Sequence, residues 1–282
     1  MRGLLNINKP KDWTSFDVVG FVRKTLKTKQ IGHLGTLDPM ATGVLVVTVG
    51  SATKIFDIFL KKEKTYIAQF EFGYETDTLD ATGSMTNMCK KIPTIEEIKA
   101  ILPQFVGDIM QTPPQYSAKK VNGQKAYDVA RKGKSIELNP CQIHINAIEI
   151  VSYINNILKL KIECGAGAYI RAIGRDIAYK LGSFATMTSL CRTQVGDFEI
   201  EKSIEIDKNN PQILAENLID LDVVFGNLPA INDNILSTRL LNGQRVKTDL
   251  KIGDYRLYHN GNFVAICTVE DGLIKMKKYF AM

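Results

Sequence analysis

The sequence has few of the residues from which metal sites, disulfide frameworks and membrane spans are built. Its 282 residues include three histidines and five cysteines, and no Cys-x-x-Cys or His-Glu-x-x-His motif occurs. The cysteines are therefore expected to be reduced thiols that bind no zinc. No apolar run reaches the roughly 18–20 residues that cross a bilayer, and the segment Met1–Trp13 lacks the apolar core of a signal peptide. These absences predict a cytoplasmic protein without a bound metal.

Motifs that bind nucleotide phosphates are missing as well. Neither G-x-G-x-x-G nor G-x-x-x-x-G-K-S/T occurs, and nothing in the sequence suggests the nucleophile elbow of acyl-transfer enzymes. No dinucleotide or P-loop nucleotide cofactor is therefore expected. The composition, 45% hydrophobic and 23% charged, is that of an ordinary globular chain and excludes disorder or a collagen-like repeat.

Positive charge is only slightly in excess but is unevenly distributed. The formal net charge is +6, from 36 basic and 30 acidic residues. Basic residues concentrate in residues 2–64, 119–134 and 239–278, whereas residues 197–222 are acidic. Such segregation is consistent with a basic face for a polyanion such as RNA, and equally with an ordinary solvated surface.

The spacing of apolar residues predicts both helices and strands. Thr14 or Ser15 is placed to cap a helix, with Asp17 completing a capping box. Strands and helices then alternate irregularly, with hairpin signals between them, which favours an α+β fold with a mixed, mostly antiparallel sheet flanked by helices. The further predicted strands are Val44–Val49, Thr65–Gly73 and Ile157–Cys164, and the further predicted helices are Ile95–Leu102 and Ile170–Leu181.

Residues 111–139 differ in composition from the segments on either side. They contain Pro113-Pro114, the turn signal Asn122-Gly123 and a basic, predicted helical stretch from Ala126 to Lys132. Because these features interrupt the regular apolar pattern, the segment is interpreted as an excursion from the core.

The end of the chain is expected to form a small β subdomain. Turn signals at Asn260-Gly261 and Asp271-Gly272 separate three short strands, a pattern typical of a meander. The predicted organisation is therefore a main domain over residues 1–232 and a β subdomain over residues 236–282.

Gly32–Gly43 is the most unusual stretch of the sequence and is the first candidate functional site. Its glycines, proline and threonines demand a tight, non-repetitive backbone between the first helix and a buried strand. Loops held between packed elements are common sites of function. Asp38 is the only acidic residue of the stretch, and on the residues alone it is either a catalytic carboxylate or a cap of the turn.

Motifs along the whole chain resemble those of the TruB family of tRNA pseudouridine synthases. The loop around Asp38 resembles the catalytic motif of that family. Further matching motifs, in the family's order, are Asn6–Pro10, Trp13–Ser15, Lys64–Tyr66, Thr76–Gly83, Gln111–Ala118, Val121–Gly123, Gly167–Arg171 and Leu190–Thr193. The resemblance implies the pseudouridine synthase fold, with residues 111–139 as its thumb insertion and residues 236–282 as a PUA-like module. It also implies isomerisation of the tRNA T-loop uridine at position 55, without cofactor or metal.

The resemblance also implies three catalytic residues. Asp38 would be the aspartate that adds to the ribose C1′ or to C6 of the base, and Arg171 would pair with it and favour its ionised form. Tyr66 would lie against the flipped uracil and take part in removing the proton from C5. Without the resemblance, Tyr66 is interpreted as a core aromatic and Arg171 as a surface residue.

Three substrate-binding residues follow from the same resemblance. His33 would contact the RNA, and Tyr169 and Leu190 would line the uracil pocket. Otherwise His33 is interpreted as a structural hydrogen-bonding residue and Leu190 as part of the core. Asp77 and Asp80 are assigned to loop structure or RNA contact, because a hydrolytic carboxylate pair must admit water between its two groups.

The implied partner is the T-arm stem-loop of tRNA, bound by a monomer. A base inside a folded loop must be flipped out to be reached, and the basic thumb would clamp the arm that carries it. Only about 45 residues follow Leu236, fewer than a full PUA module has, so the subdomain is equally interpreted as a structural cap. The alternatives are a non-catalytic RNA-binding or tRNA-folding protein, and a nucleoside or glycoside hydrolase that uses Asp38.

Overall fold

The structure, a computed structural model, has the predicted α+β architecture and describes residues 1–121 and 123–280. Asn122 of the predicted turn, and the last two residues of the predicted β subdomain, lie outside the described residues. The strands are β1 (Gly3–Lys9), β2 (Ile31–His33), β3 (Thr42–Val49), β4 (Lys64–Phe72), β5 (Tyr74–Thr76), β6 (Met85–Met88), β7 (Gly107–Gln111), β8 (Lys120–Val121), β9 (Gln124–Lys125), β10 (Cys141–Ile154), β11 (Ile157–Cys164), β12 (Ala185–Val195), β13 (Phe198–Glu199), β14 (Ile204–Glu205), β15 (Ala230–Ile231), β16 (Val246–Lys247), β17 (Gly253–His259), β18 (Asn262–Glu270) and β19 (Leu273–Tyr279). The helices are α1 (Ser15–Thr25), α2 (Phe56–Leu60), α3 (Ile95–Ile101), α4 (Ala126–Ala130), α5 (Ile170–Lys180), α6 (Ile213–Glu216), α7 (Leu221–Val224) and α8 (Asn234–Leu241).

A ten-stranded sheet forms the centre of the molecule. Its strand order is β14-β1-β3-β12-β4-β11-β10-β7, with β2 added to β3 and β13 added to β12. Among the described strands of this sheet, only the pairs β1–β14 and β3–β12 run parallel. The prediction of a mixed, mostly antiparallel sheet is confirmed.

Local sequence explains why the elements around the site form. Thr14 caps α1, and its side chain and that of Asp17 satisfy each other's backbone N–H groups in a capping box. Along β4, every second side chain is buried, so one face of the strand lies on the core. The β-branched residues of β3 are buried on both faces, as expected for a strand in the middle of a covered sheet.

Helix α5 is held tightly against the sheet. Its apolar residues Ile170, Ile173 and Ile177 are buried in the main core cluster together with Phe70 of β4. A side chain at Gly174 would overlap the Phe70 ring, so only glycine permits this close approach of helix and strand. The N-terminal half of α5 is thereby fixed over β4.

The thumb, residues 111–139, leaves the sheet between two neighbouring strands. Gln111 at the end of β7 pairs with Cys141 at the start of β10, so the segment begins and ends at one place. It contains the β8–β9 hairpin and helix α4. The helix ends at Ala130, before the predicted end at Lys132, because the chain turns into Gly133 at φ +69°.

The end of the chain forms a five-stranded sheet, with the order β15-β17-β18-β19-β16. Besides the three meander strands it includes β15, which lies before the predicted boundary at residue 232 and joins the sheet through pairing with β17. Phe263 and Phe280 of this part pack in one core cluster with Leu4 and Val44 of the ten-stranded sheet. The two sheets therefore share apolar packing, and the division into two domains stays a prediction.

Candidate active site

The loop that carries Asp38 is fixed at several backbone positions. It connects β2 with β3 and lies against the start of α1. The Leu37 N–H donates to Ser15 Oγ at 2.9 Å, and the Ser15 hydroxyl donates to the Leu37 carbonyl at 3.2 Å. The Ala41 N–H donates to the Asp38 carbonyl at 3.0 Å, which closes the turn at the aspartate. Asp38 is thus presented on a loop with little freedom.

Lys9 holds the same loop from the end of β1. Its side chain is fully buried, and Nζ donates to the carbonyls of Pro10, Trp13 and Pro39 at 2.9, 2.5 and 3.1 Å. Burial lowers the pKa of the Lys9 amine from 10.5 to about 8, against the opposing charges of nearby aspartates that include Asp38. The ammonium therefore fixes backbone carbonyls instead of forming an ion pair.

Asp38 and Arg171 form a two-point ion pair. Arg171 Nε lies 2.9 Å from Asp38 Oδ2, and Nη2 lies 3.2 Å from Oδ1. The Arg171 side chain is 7% exposed and that of Asp38 is 33% exposed, so the carboxylate keeps one side open. Burial raises the pKa of the Asp38 carboxyl, while the Arg171 charge and its hydrogen bond act in the opposite direction.

Further contacts fix the orientation of the Arg171 guanidinium. Nη1 donates to the Thr78 carbonyl at 2.8 Å, and Nη2 donates to the Tyr116 carbonyl at 2.9 Å. Nη1 also lies 3.6 Å from Oδ2 of Asp80, which is buried. Asp80 Oδ1 accepts hydrogen bonds from Thr78 and Thr82 of its own loop. One oxygen of Asp80 therefore stabilises the loop while the other lies beside the Arg171 guanidinium.

Tyr66 lies on the buried face of β4, directly opposite Arg192 of β12. Burial raises the pKa of the Tyr66 phenol, the Arg192 charge opposes this rise, and the charge of Asp38 adds to it. The phenol is therefore neutral at pH 7. Tyr66 therefore faces the arginine whose guanidinium bonds to the Gly35 and Thr36 carbonyls of the Asp38 loop.

Arg192 is a functional candidate that the sequence analysis did not single out. It is buried, and its guanidinium donates to the carbonyls of Val44 at 2.8 Å, Gly35 at 3.0 Å and Thr36 at 3.5 Å. It therefore fixes the first half of the Asp38 loop. A side chain at Gly43 would overlap the Arg192 backbone, so β3 and β12 approach closely only at glycine. One signal in the sequence could have indicated Arg192. It follows Leu190 by two residues, so the two side chains share one face of a strand.

The predicted binding residues occupy different parts of this site. Leu190 is buried on β12 opposite Ala68, within the main core cluster. Tyr169 precedes α5, and its backbone N–H and carbonyl both bond to the side chain of Gln111, at 2.9 and 3.1 Å. His33 ends β2, and its ring packs edge-on against Phe16 with centroids 5.5 Å apart. Burial and the Arg192 charge lower the pKa of His33.

Helix α5 also holds the start of the thumb. Besides the Gln111–Tyr169 bonds and the Arg171–Tyr116 bond, Arg175 donates to the Thr112 carbonyl at 2.8 Å. The segment from β7 into the thumb therefore runs along the helix that supplies the partner of Asp38.

Two kinds of feature are absent from residues 1–121 and 123–280. No group of three or more histidine, cysteine, aspartate or glutamate residues there is arranged to hold a metal ion. No helix within those ranges is both long and apolar enough to span a membrane.

The sequence was compared with known families. Residues 23–170, more than half of the chain, match the family described as "TruB family pseudouridylate synthase (N terminal domain)". The chain belongs to the TruB family. The family resemblance expected from the sequence is confirmed.

Individual relatives extend this match over nearly the whole chain. The chain is 39% identical to the tRNA pseudouridine synthase B of Caldanaerobacter subterraneus subsp. tengcongensis over 285 residues, which cover 99% of both chains. It is 42% identical to the protein of the same name from Clostridium acetobutylicum over 258 residues, covering 91% of this chain and 87% of the relative.

The fold is also found among solved structures. A chain from the crystal structure of a Cbf5–Nop10–Gar1 complex is similar with a TM-score of 0.73 at 21% identity, covering 99% of this chain and 85% of that chain. At this identity the likeness concerns the fold, and the predicted pseudouridine synthase fold is confirmed.

Proposed function

We propose that this TruB-family chain converts the T-loop uridine at position 55 of tRNA to pseudouridine, as an isomerase that needs no cofactor. The observation that carries the proposal is the Asp38–Arg171 pair, in which a carboxylate with one open side is held by both of its oxygens. The names of the relatives, tRNA pseudouridine synthase B, support tRNA as the substrate.

Asp38 is the proposed nucleophile. In one route its carboxylate forms a bond to C1′ of the ribose while the bond from C1′ to N1 breaks, and the uracil leaves with the electron pair. The uracil then turns, C5 bonds to C1′, and the carboxylate is released. In the other route the carboxylate adds to C6 of the base while the C5–C6 double bond opens. The bond from C1′ to N1 then breaks, the base turns and C5 bonds to C1′, and elimination of the carboxylate from C6 restores the double bond. Both routes end with loss of the C5 proton and gain of a proton at N1, so the mass is unchanged.

Tyr66 and Arg171 have separate proposed roles. Tyr66 lies on the buried face of β4. Its ring is proposed to stack on the uracil, and its hydroxyl is proposed to assist removal of the C5 proton. Arg171 holds Asp38 in one orientation and favours its charged form, which nucleophilic attack requires. Tyr169 and Leu190 are proposed to line the uracil pocket, and His33 to contact the RNA.

Access to the uridine requires that it leave the stacked loop, which costs a few kcal/mol. The basic thumb, residues 111–139, is proposed to provide contacts to the T-arm that offset this cost. All the proposed catalytic residues come from one chain, which supports a monomer as the active unit. The proposed place of action is the cytoplasm. The C-terminal sheet shares a core cluster with the ten-stranded sheet, which favours a structural role beside any contact with RNA.

The test is incubation of the protein and its Asp38→Asn variant with a T-arm stem-loop transcript, followed by mapping of pseudouridine. We expect the variant to bind the transcript but to lose isomerisation by about four orders of magnitude, because asparagine is not a nucleophile here. Unchanged isomerisation in the variant would contradict the role of Asp38.

The same assay separates the alternatives. A hydrolase would release free uracil, whereas the isomerase leaves the RNA mass unchanged. A protein that only binds or folds tRNA would form no pseudouridine in either version. Assistance with tRNA folding is compatible with catalysis and would persist in the Asp38→Asn variant.

A further inference from the structure

Helix α1 has an exposed face that the proposed chemistry does not use. Phe16 in its first turn is 74% exposed, although it is a large apolar residue. Phe16, Gly20 and Lys24 follow at intervals of four residues and therefore share one side of the helix, with Arg23 next to Lys24. These four exposed residues are here called the α1 face.

The α1 face begins beside the proposed active site. The Phe16 ring contacts the His33 ring edge-on at a centroid distance of 5.5 Å. The preceding residue, Ser15, bonds to the backbone of Leu37, the neighbour of Asp38. Phe16 therefore lies next to a residue that bonds to the Asp38 loop, and its ring touches a residue proposed to contact the RNA.

Gly20 is not explained by the packing of the protein. Glycine inside a helix destabilises it relative to alanine, because the unfolded chain has more freedom to lose. A Cβ at Gly20 would meet no atom of residues 1–121 or 123–280 within 4 Å, so their packing does not require a glycine there. What a glycine provides at this position is a helix surface without a side chain, over which another backbone can pass closely.

The far end of the face is positively charged. Arg23 and Lys24 are exposed, and neither forms a salt bridge within the part of the chain that the structure describes. Cations at the end of a helix also suit the helix dipole. The dipole accounts for these two charges but not for the exposed Phe16 or for Gly20.

We propose that the α1 face binds an unpaired part of the substrate RNA next to the flipped uridine. A base stacks on the Phe16 ring, the sugar-phosphate backbone crosses Gly20, and phosphates contact Arg23 and Lys24. Aromatic stacking combined with basic side chains is the usual way in which proteins hold single-stranded nucleic acid. This inference rests on the proposed function, since it names a further surface for the same RNA.

The test measures the Kd and KM of a T-arm stem-loop transcript with α1 variants. Phe16→Ala should weaken binding about tenfold and Phe16→Trp should restore it, because the ring and not a particular side chain is needed. Gly20→Gln should also weaken binding, although glutamine favours the helix and should keep or raise Tm. The double variant Arg23→Gln/Lys24→Gln should reduce the slope of log Kd against the logarithm of the salt concentration by about one to two.

The controls for this test, and the results that would contradict it, differ from those that test the proposed function. Val223→Ala, at a 72% exposed apolar residue of α7, and Lys99→Gln on α3 should bind the transcript like the unchanged protein. Normal binding by Phe16→Ala and Gly20→Gln, in a protein that does form pseudouridine, would overturn this inference alone. Failure of the unchanged protein to form pseudouridine would instead overturn the proposed function.

Discussion

The guanidinium of Arg171 contacts both oxygens of the Asp38 carboxylate, at 2.9 and 3.2 Å. Two opposing effects meet at this pair, because burial raises the pKa of Asp38 and the positive charge lowers it. The net direction is upward from the ordinary value. The contact with Arg171 therefore opposes protonation of the Asp38 carboxylate.

Arg171→Lys should move the acid limb of the pH–rate profile to higher pH. A lysine has one charged nitrogen and does not reproduce the two-point contact, so the pKa of Asp38 rises further. At a given pH, a higher pKa means a smaller fraction of carboxylate. Loss of one preorganised donor to the carboxylate should also lower the rate, by roughly 10²-fold at pH 7. Single-turnover pseudouridine formation from pH 5 to 8 measures both effects. An acid limb at an unchanged pH would show that Arg171 does not set the charge of Asp38.

Tyr66→Phe should separate stacking from proton transfer. Phenylalanine keeps the buried ring on β4 and its packing but removes the hydroxyl. We expect RNA affinity within about twofold of the unchanged protein and a rate lower by roughly 10²–10³-fold, the usual contribution of a proton-transfer group. Equal rates for the two proteins would leave Tyr66 with a stacking role only.

Arg192→Lys should reduce kcat more than it changes KM. The variant keeps the charge but loses donors to the carbonyls of Gly35, Thr36 and Val44, so the Asp38 loop is less firmly held. Carbonyls left without donors should also lower the free energy of unfolding by about 2–3 kcal/mol. Kinetics well below Tm distinguish positioning from unfolding. A variant with lower Tm but unchanged kcat would make Arg192 purely structural.

Because of Lys9, the free energy of unfolding should rise with pH. Its pKa is about 8 in the folded protein and near the ordinary 10.5 in the unfolded chain. Between these values the unfolded chain binds a proton that the folded protein has lost, so raising the pH favours the folded state. Lys9→Met lacks this proton equilibrium. The stability difference between the unchanged protein and the variant should grow by about 2–3 kcal/mol from pH 7.5 to 10.5 in urea titrations.

Other groups also titrate over this pH range, and the comparison with Lys9→Met removes their contribution because both proteins share them. Buried thiols are an example, because their ordinary pKa of 9.0 lies within this range in the unfolded chain. In the folded protein, burial raises the pKa of Cys164 to about 11 and that of Cys267 to about 12. A constant stability difference between the two proteins would contradict the lowered pKa of Lys9.

The sequence predicted those elements whose signal is local. The capping box of Thr14 and Asp17, the alternation along β4 and the apolar side of α5 all depend on residues a few positions apart. Those predictions are confirmed. Strand β15, only two residues long, carries no periodicity and becomes part of a sheet only by pairing with β17.

The site is less accessible to local reasoning, because its parts come from distant segments. Asp38 and Arg171 are 133 residues apart, and only the family resemblance paired them. The buried charges Lys9, Asp80 and Arg192 were not assigned to the site, because charged residues are ordinarily exposed and their burial depends on the tertiary fold. Which carbonyls and carboxylates surround them is decided by the tertiary structure.

The bond from Arg171 Nη2 to the Tyr116 carbonyl joins the thumb to the group that balances the charge of Asp38. A ligand that pulls Tyr116 away takes one acceptor from the guanidinium, and among the described residues Asp38 is then the remaining partner of that nitrogen. A displacement of Tyr116 would therefore change the hydrogen bonding of the guanidinium that pairs with Asp38. The position of the thumb and the orientation of the Asp38 carboxylate are thus linked through one backbone carbonyl, that of Tyr116.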